Sequence, residues 1–449
     1  MRERMSGIDA AWFRMDRPEN AADVVALLAF RDLPALPRVQ RLLDDRLLAY
    51  PRFRQRAMRG SLAGGDAWQE DPAFSLDRHV LSHRLDTRDP HALQHLVSEI
   101  ASEPLDPARP LWCFHLVRRE DGGAIVAKIS HCMGDGFALV GLLLSLADER
   151  AETAGSRSRH ALPASRRLAP WLAPGATLRA ALTHPARALA LGGESAALAR
   201  SLARLVALPA DPPTVLSRPL SGRRRTAWSQ GLPLERVRSA ARALGGTVND
   251  VLVTAVTGAL RRHLALAGER VNELELRALM PVNLRPGPPT VGTGSLGNRF
   301  GLVFLELPIR AATPAARFDA VRARTAALKG RPDAVATLGL LAGLGLVPVI
   351  EPWAARFFSR KASLVITNVP GPRFPLHIAG SRIDHAMFWV PHPATLGLGV
   401  SILSYAGEVR IGVRADVAVL PRPEDLVEAF EIELASLFTG GAAESHGGP

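Results

Sequence analysis

From about Glu149 to Pro213 the chain offers nothing that reads as a β-strand, whereas strand and helix patterns alternate on both sides of that stretch. A single long interruption in an α/β alternation constrains the fold more than any motif. With 449 residues the chain is also too long for one ordinary core, so two α/β lobes of roughly 150 to 220 residues are expected. The expected division is an N-terminal lobe over 1–148, a basic helical linker over 149–213, a C-terminal lobe over 214–439 and a disordered tail over 440–449.

The local patterns support this division. Val24 to Phe30 is apolar enough for a buried strand, and Pro37 to Tyr50 places Val39, Leu42, Leu43 and Leu47 on one helical stripe. "DPHALQHLVSEIASEPLD" repeats the helical period through Leu93, Leu96, Val97 and Ile100. Two strand-like runs then flank Asp121-Gly122-Gly123, a hairpin signal. Within the linker, Thr177 to Leu208 is helix-forming and carries Arg179, Arg187, Arg200 and Arg204 among apolar residues. Such a helix can lie on an anionic membrane surface or pack, solvated, over the lobe junction. Ala334 to Ile350 is uncharged but broken by Gly339, Gly343, Gly345 and Pro348, which predicts a buried or interfacial helix pair rather than a membrane span.

Charge narrows the partners. The formal net charge is +12, with all but Lys128, Lys329 and Lys361 of the 55 basic residues being Arg. They are spread along the chain instead of clustering with aromatics, which argues against nucleic acid and leaves anionic lipid or a phosphorylated small molecule. Cys113 and Cys132 suggest neither a zinc site nor a disulfide framework, and the N-terminus lacks the apolar core of a signal peptide. A reducing, cytoplasmic setting is expected.

The stretch "AKISHCMGDGFALVGLLLSL" carries the candidate chemistry. A strand runs out at Ser130, and His131 follows in a turn with Asp135 and Gly136. A histidine at a strand end is either a core residue with its bonds satisfied or a base that projects into a cleft. Asp135 can orient the turn or accept a hydrogen bond from the imidazole. Cys132 points the other way if the segment is extended, which argues against a Cys-His pair.

Seven further segments occur in order: "MSGIDAAWF" (5–13), "DPAFSLDRHV" (71–80), "RPLW" (109–112), "GGTVNDVLVTAVTGALRRHL" (245–264), "LMPVNLR" (279–285), "LGNRFG" (296–301) and "ITNVPGP" (366–372). Together with the His131 turn they resemble the bacterial wax ester synthase/acyl-CoA:diacylglycerol acyltransferase family over residues 5 to 437. The resemblance implies a two-lobed, chloramphenicol acetyltransferase-like CoA-dependent acyltransferase fold with an active-site tunnel between the lobes. It implies acyl-CoA as co-substrate, diacylglycerol or a long-chain alcohol as acceptor, no permanently bound cofactor or metal, and attachment to a membrane or lipid-inclusion surface.

The family motif H-H-x-x-x-D-G maps its second His, the general base, onto His131, with Asp135 and Gly136 completing it. The first His is Ser130 here, a neighbour expected to face away from the substrate in a supporting role. Asn249 and Asp250 open a helix, where capping is the ordinary role; the resemblance adds Asn249 as a possible oxyanion donor. Asn283 and Arg285 end a strand before a Pro-rich turn and order that loop or line the substrate site, with Arg285 a possible partner for Asp135. Asn368 and Gly371 suit a turn near the tunnel that needs positive φ. Two other readings remain open: a carrier-protein-dependent condensation-type enzyme of the same fold, and a lipid-surface binding protein impaired through Ser130.

Overall fold

The computed structural model describes residues 2–444 except 61–64, 87, 88, 90, 137, 139, 140, 143–145, 149–196, 285–297, 299, 330, 345–355 and 358. The first half contributes α1 (Gly7–Met15), β1 (Asp23–Phe30), β2 (Val80–Arg84), α2 (Ala92–Ser102), β3 (Trp112–Arg119) and β4 (Gly122–Ser130). From the second come β5 (Arg224–Trp228), α3 (Leu234–Ala243), α4 (Val248–Leu266), β6 (Leu276–Asn283), β7 (Phe300–Leu307), α5 (Pro314–Leu328) and α6 (Asp333–Leu344). They are followed by β8 (Leu364–Pro370), β9 (His385–Trp389), β10 (Leu398–Tyr405), β11 (Glu408–Asp416) and α7 (Pro423–Glu444).

Two main sheets result. One has the order β9-β1-β4-β3-β2 and the other β7-β6-β8-β10-β11-β5, with the short Leu232–Pro233 segment pairing β11. Both sheets are mixed: β2 runs parallel to β3, and β6, β8 and β10 run parallel to one another. The predicted hairpin joins β3 and β4, with Arg119 opposite Gly122. Gly122 has φ +125°, and a Cβ there would come within 2.3 Å of the Phe30 carbonyl oxygen. Glycine is therefore required at this turn.

Chain order and sheet membership part company at β9. This strand belongs to the second half by sequence but pairs with β1 of the first sheet, Ala386 opposite Leu28 and Trp389 opposite Val25. The first core accordingly includes Leu279, Phe300, Val365 and Leu403 from the second half. The second core is organised around α4, where Val251, Leu252, Ala255, Val256, Ala259 and Leu260 are all buried beneath the second sheet and α7.

A buried ionic cluster also ties the sheets together. Asp23, the first residue of β1, pairs with Lys128 of β4 at 3.0 Å, and Arg414 of β11 donates to the Asp23 carbonyl at 2.7 Å. Arg414 reaches the end of α2 as well, at the Ala101 carbonyl. Burial, with Arg224 nearby, lowers the Arg414 pKa to about 9.

Several local expectations need correction. The helix expected over Pro37 to Tyr50 is α-helical only over Leu36–Leu42 and then widens into a π turn over Leu43–Leu47, which keeps Val39, Leu43 and Leu47 on the buried side. The segment containing Asn368 is not a turn. It is part of β8, and Gly371 does not have positive φ; what excludes a side chain there is the Ser404 carbonyl oxygen, 2.5 Å from a Cβ. The C-terminal helix continues to Glu444, into the expected tail. Of the linker helix, Arg179 and Arg187 lie outside the described residues; residues 197–207 are helical, with Leu205 buried and Arg204 3.6 Å from Asp333. The first part of the Ala334 to Ile350 stretch is α6, and residues 345–350 lie outside the described ones. Among the described residues no single helix is long and apolar enough to cross a membrane.

Candidate active site

His131 immediately follows the last residue of β4, and its backbone N–H donates to the Ala22 carbonyl at 2.7 Å, which pins it beside the start of β1. Strand alternation then sorts the neighbouring side chains. Ser130 points into the core, fully buried, with its hydroxyl 3.2 Å from the Cys132 sulfur. The imidazole of His131 faces a narrow cavity of about 40 Å³. Trp12 stacks on the imidazole with ring centres 4.0 Å apart, and Phe300 meets it edge-on at 5.4 Å. Burial is the main force on this ring and lowers its pKa to about 4, partly opposed by the charge of Asp135. The imidazole is thus neutral near pH 7, the protonation state a general base needs.

The cavity is assembled from both halves. Trp12, His131, Asp135 and Gly136 come from the first; Leu279, Pro281, Phe300, Leu302, Val365, Thr367 and Val369 come from β6, β7 and β8, with Val390, Pro391 and Pro393 after β9. The Asp135 carboxylate accepts from the backbone N–H of Ala138 at 2.9 Å, which makes it the cap of the helical turn that follows.

The other sequence-derived candidates stand apart from this cavity. On β8 the odd-numbered side chains Val365, Thr367 and Val369 face it, and Asn368 turns the other way to donate to the Asn249 side chain at 3.2 Å. Asn249 does not cap α4. Thr247 is the cap, and Asp250 closes a capping box by accepting from the Thr247 backbone N–H at 2.9 Å. Asn283 is the last residue of β6 and is not among the residues lining the cavity, and Arg285 lies outside the described residues.

Two residues that sequence reasoning quoted without assigning a role touch His131. Trp12 lies in "MSGIDAAWF", and Asn298, in "LGNRFG", donates through Nδ2 to the His131 carbonyl at 2.8 Å. Their signal was present in the motifs. What was lacking was the pairing in space, since Asn298 is separated from His131 by 167 positions.

A second, larger cavity of about 780 Å³ is lined from both halves, including Met15, Asn20, Leu216, Ser363 and Thr395. Met15, Leu216, Leu220 and Leu396 form its apolar wall, and Arg17, Arg218, Arg356 and Arg360 surround it.

Comparison with known proteins places this geometry. The family model for the wax ester synthase/diacylglycerol acyltransferase catalytic domain matches residues 5–252, and that for the WS/DGAT C-terminal domain matches residues 296–438. The chain belongs to the wax ester synthase/diacylglycerol acyltransferase family. It is an acyltransferase. Proteins named putative and probable diacylglycerol O-acyltransferases, from Mycobacterium bovis and Mycobacterium tuberculosis, are each 31% identical to it over 413 residues, covering 88% of this chain and 86% of theirs. The wax ester synthase/diacylglycerol acyltransferase of Marinobacter aquaeolei VT8 has the same fold, with a TM-score of 0.70 at 22% identity, covering 98% of this chain and all of that one. The first condensation domain of the calcium-dependent antibiotic synthetase shares the fold at a TM-score of 0.60 and 16% identity, covering 98% and 96% of the two chains. The architecture is therefore the two-lobed, chloramphenicol acetyltransferase-like one that the family resemblance implied.

Proposed function

We propose that the protein moves a long-chain acyl group from acyl-CoA to the hydroxyl of diacylglycerol or a long-chain alcohol, with His131 as the general base. The observation that carries this reading is a neutral, buried imidazole facing an apolar cavity built from both halves. His131 removes the hydroxyl proton as the oxygen attacks the thioester carbonyl. The tetrahedral intermediate then collapses with cleavage of the C–S bond, and the imidazolium returns its proton to the departing thiolate, so ester and free CoA leave with no covalent enzyme intermediate. Thr367 lines the cavity and supplies a hydroxyl donor for the developing oxyanion, whereas Asn249 supports β8 from behind through Asn368. Asp135 holds the turn that carries the base and offsets part of the cost of forming the imidazolium.

The arginine-rimmed cavity suits the phosphates of CoA. No ion pair engages Arg17, Arg218, Arg356 or Arg360 among the described residues, which leaves their charge for an anionic ligand. The acceptor arrives from a membrane or lipid-inclusion surface, where exposed Arg200 and Val206 on the described end of the linker helix provide charge and apolar contact. The deciding experiment supplies purified protein with palmitoyl-CoA and, separately, hexadecanol or diacylglycerol, and measures free CoA and the ester product. Ester formed with release of one CoA supports the reading; no product from either acceptor overturns it.

A further inference from the structure

Asn298 lies in the segment just ahead of β7 and is buried. Its Nδ2 donates to the Asp9 carboxylate at 2.8 Å and to the His131 carbonyl at 2.8 Å, while its backbone N–H approaches the same Asp9 oxygen at 3.3 Å. Both hydrogens of the carboxamide are thereby used. This also settles which way the amide points, since a flip would set its oxygen against two acceptors. Asp9 is itself fixed in the first turn of α1, where the Ser6 side chain accepts from its backbone N–H, and the same helix holds Trp12 against the imidazole.

One acceptor remains on the carboxamide. Asn298 Oδ1 is buried without a hydrogen-bond partner, and so is Nδ1 of His131. Against the burial that lowers its pKa, Asp135, then the His131 carbonyl that Asn298 holds, then the Asn298 side chain itself favour the protonated imidazole. A buried acceptor and a buried ring nitrogen that lack hydrogen-bond partners, on residues already joined through the His131 carbonyl, are complementary as acceptor and donor.

We propose that Asn298, keyed by Asp9, is the positioning residue of the base: it anchors the His131 carbonyl and offers Oδ1 to Nδ1–H, leaving the Nε2 lone pair for the acceptor hydroxyl. The base is then completed across the two halves, with ring and stacking partner from the first and orienting amide from the second. This rests on His131 acting as the base.

The test uses the full-length protein with palmitoyl-CoA and hexadecanol. Asn298→Ala is expected to lower kcat about 10²-fold while KM for palmitoyl-CoA stays within about twofold, because orientation acts on the chemical step rather than on binding. The ¹⁵N shifts of the His131 ring should report Nδ1–H in the native protein and a mixture of tautomers in the variant. Asp9→Asn retains an oxygen acceptor for Asn298 and is expected to exceed Asp9→Ala in kcat by about tenfold; this pair carries the test if Asn298→Ala does not fold. A folded Asn298→Ala with kcat near native, a loss confined to KM, or an unchanged tautomer overturns the proposal. So does equal kcat in the two Asp9 variants. An active His131→Gln would instead remove the base on which the proposal rests, which separates the two failures.

Discussion

The side chain of Ser130 is fully buried against Cys132, so the larger imidazole that the family pattern places there must displace packed neighbours. Ser130→His is therefore expected to give no gain in turnover and to cost about 1–3 kcal/mol through overpacking, read from urea unfolding beside initial rates. A large gain in rate would instead mean that the native protein is catalytically impaired. The place of His131 at the strand end was legible from the sequence but its deep burial was not, because burial depends on Trp12 and Phe300, which are remote in the chain. That burial has a pH signature. His131 titrates near 4 instead of 6.5, so the acidic limb of kcat/KM should lie near pH 4, with no loss of the base through the 5–8 range. A limb centred near 6.5 would show that the ring is solvated during turnover. The stability contribution has the matching sign: the unfolded imidazole binds its proton first, so stability is lost as pH falls from 6.5 towards 4.

At the scale of elements, periodicity was most informative where one rule governed. The α2 stripe of Leu93, Val97 and Ile100 is buried as its spacing implies, and the β3–β4 hairpin turns at its glycine. Its positive φ and the Phe30 carbonyl both oppose a side chain, so Gly122→Ala should destabilise by more than about 1 kcal/mol, measurable as a lower urea midpoint; an unchanged midpoint would mean that the turn relaxes freely. Legibility failed where two structures share one composition. "ITNVPGP" carries turn residues, yet strand pairing with β10 holds Ile366 to Pro370 extended, which is why Asn368 faces Asn249 instead of the cavity. Likewise Thr247, two residues ahead of Asn249, takes the cap because Asp250 sits at the reciprocal position three residues later.

Across the whole molecule, the two-part α/β organisation was legible from the strand-free stretch, but the return of β9 to the first sheet was not. Register between distant strands is set by packing, and nothing local to "HAMFW" distinguishes a partner in one sheet from a partner in the other. The ionic cluster of Asp23, Lys128 and Arg414 fastens that arrangement beside the His131 turn. Asp23→Ala leaves two buried cations without their carboxylate and should cost about 3–5 kcal/mol in urea unfolding; a cost below about 1 kcal/mol would mean that water enters the cluster. The assembly matters because it brings His131, Thr367 and Phe300 from separate parts of the chain to one cavity. The most direct measurement of that claim is CoA release from palmitoyl-CoA and hexadecanol by His131→Gln, a neutral replacement of similar size. The account predicts a fall of about 10²- to 10⁴-fold with an unchanged unfolding midpoint, and turnover near the native rate in the folded variant would contradict it.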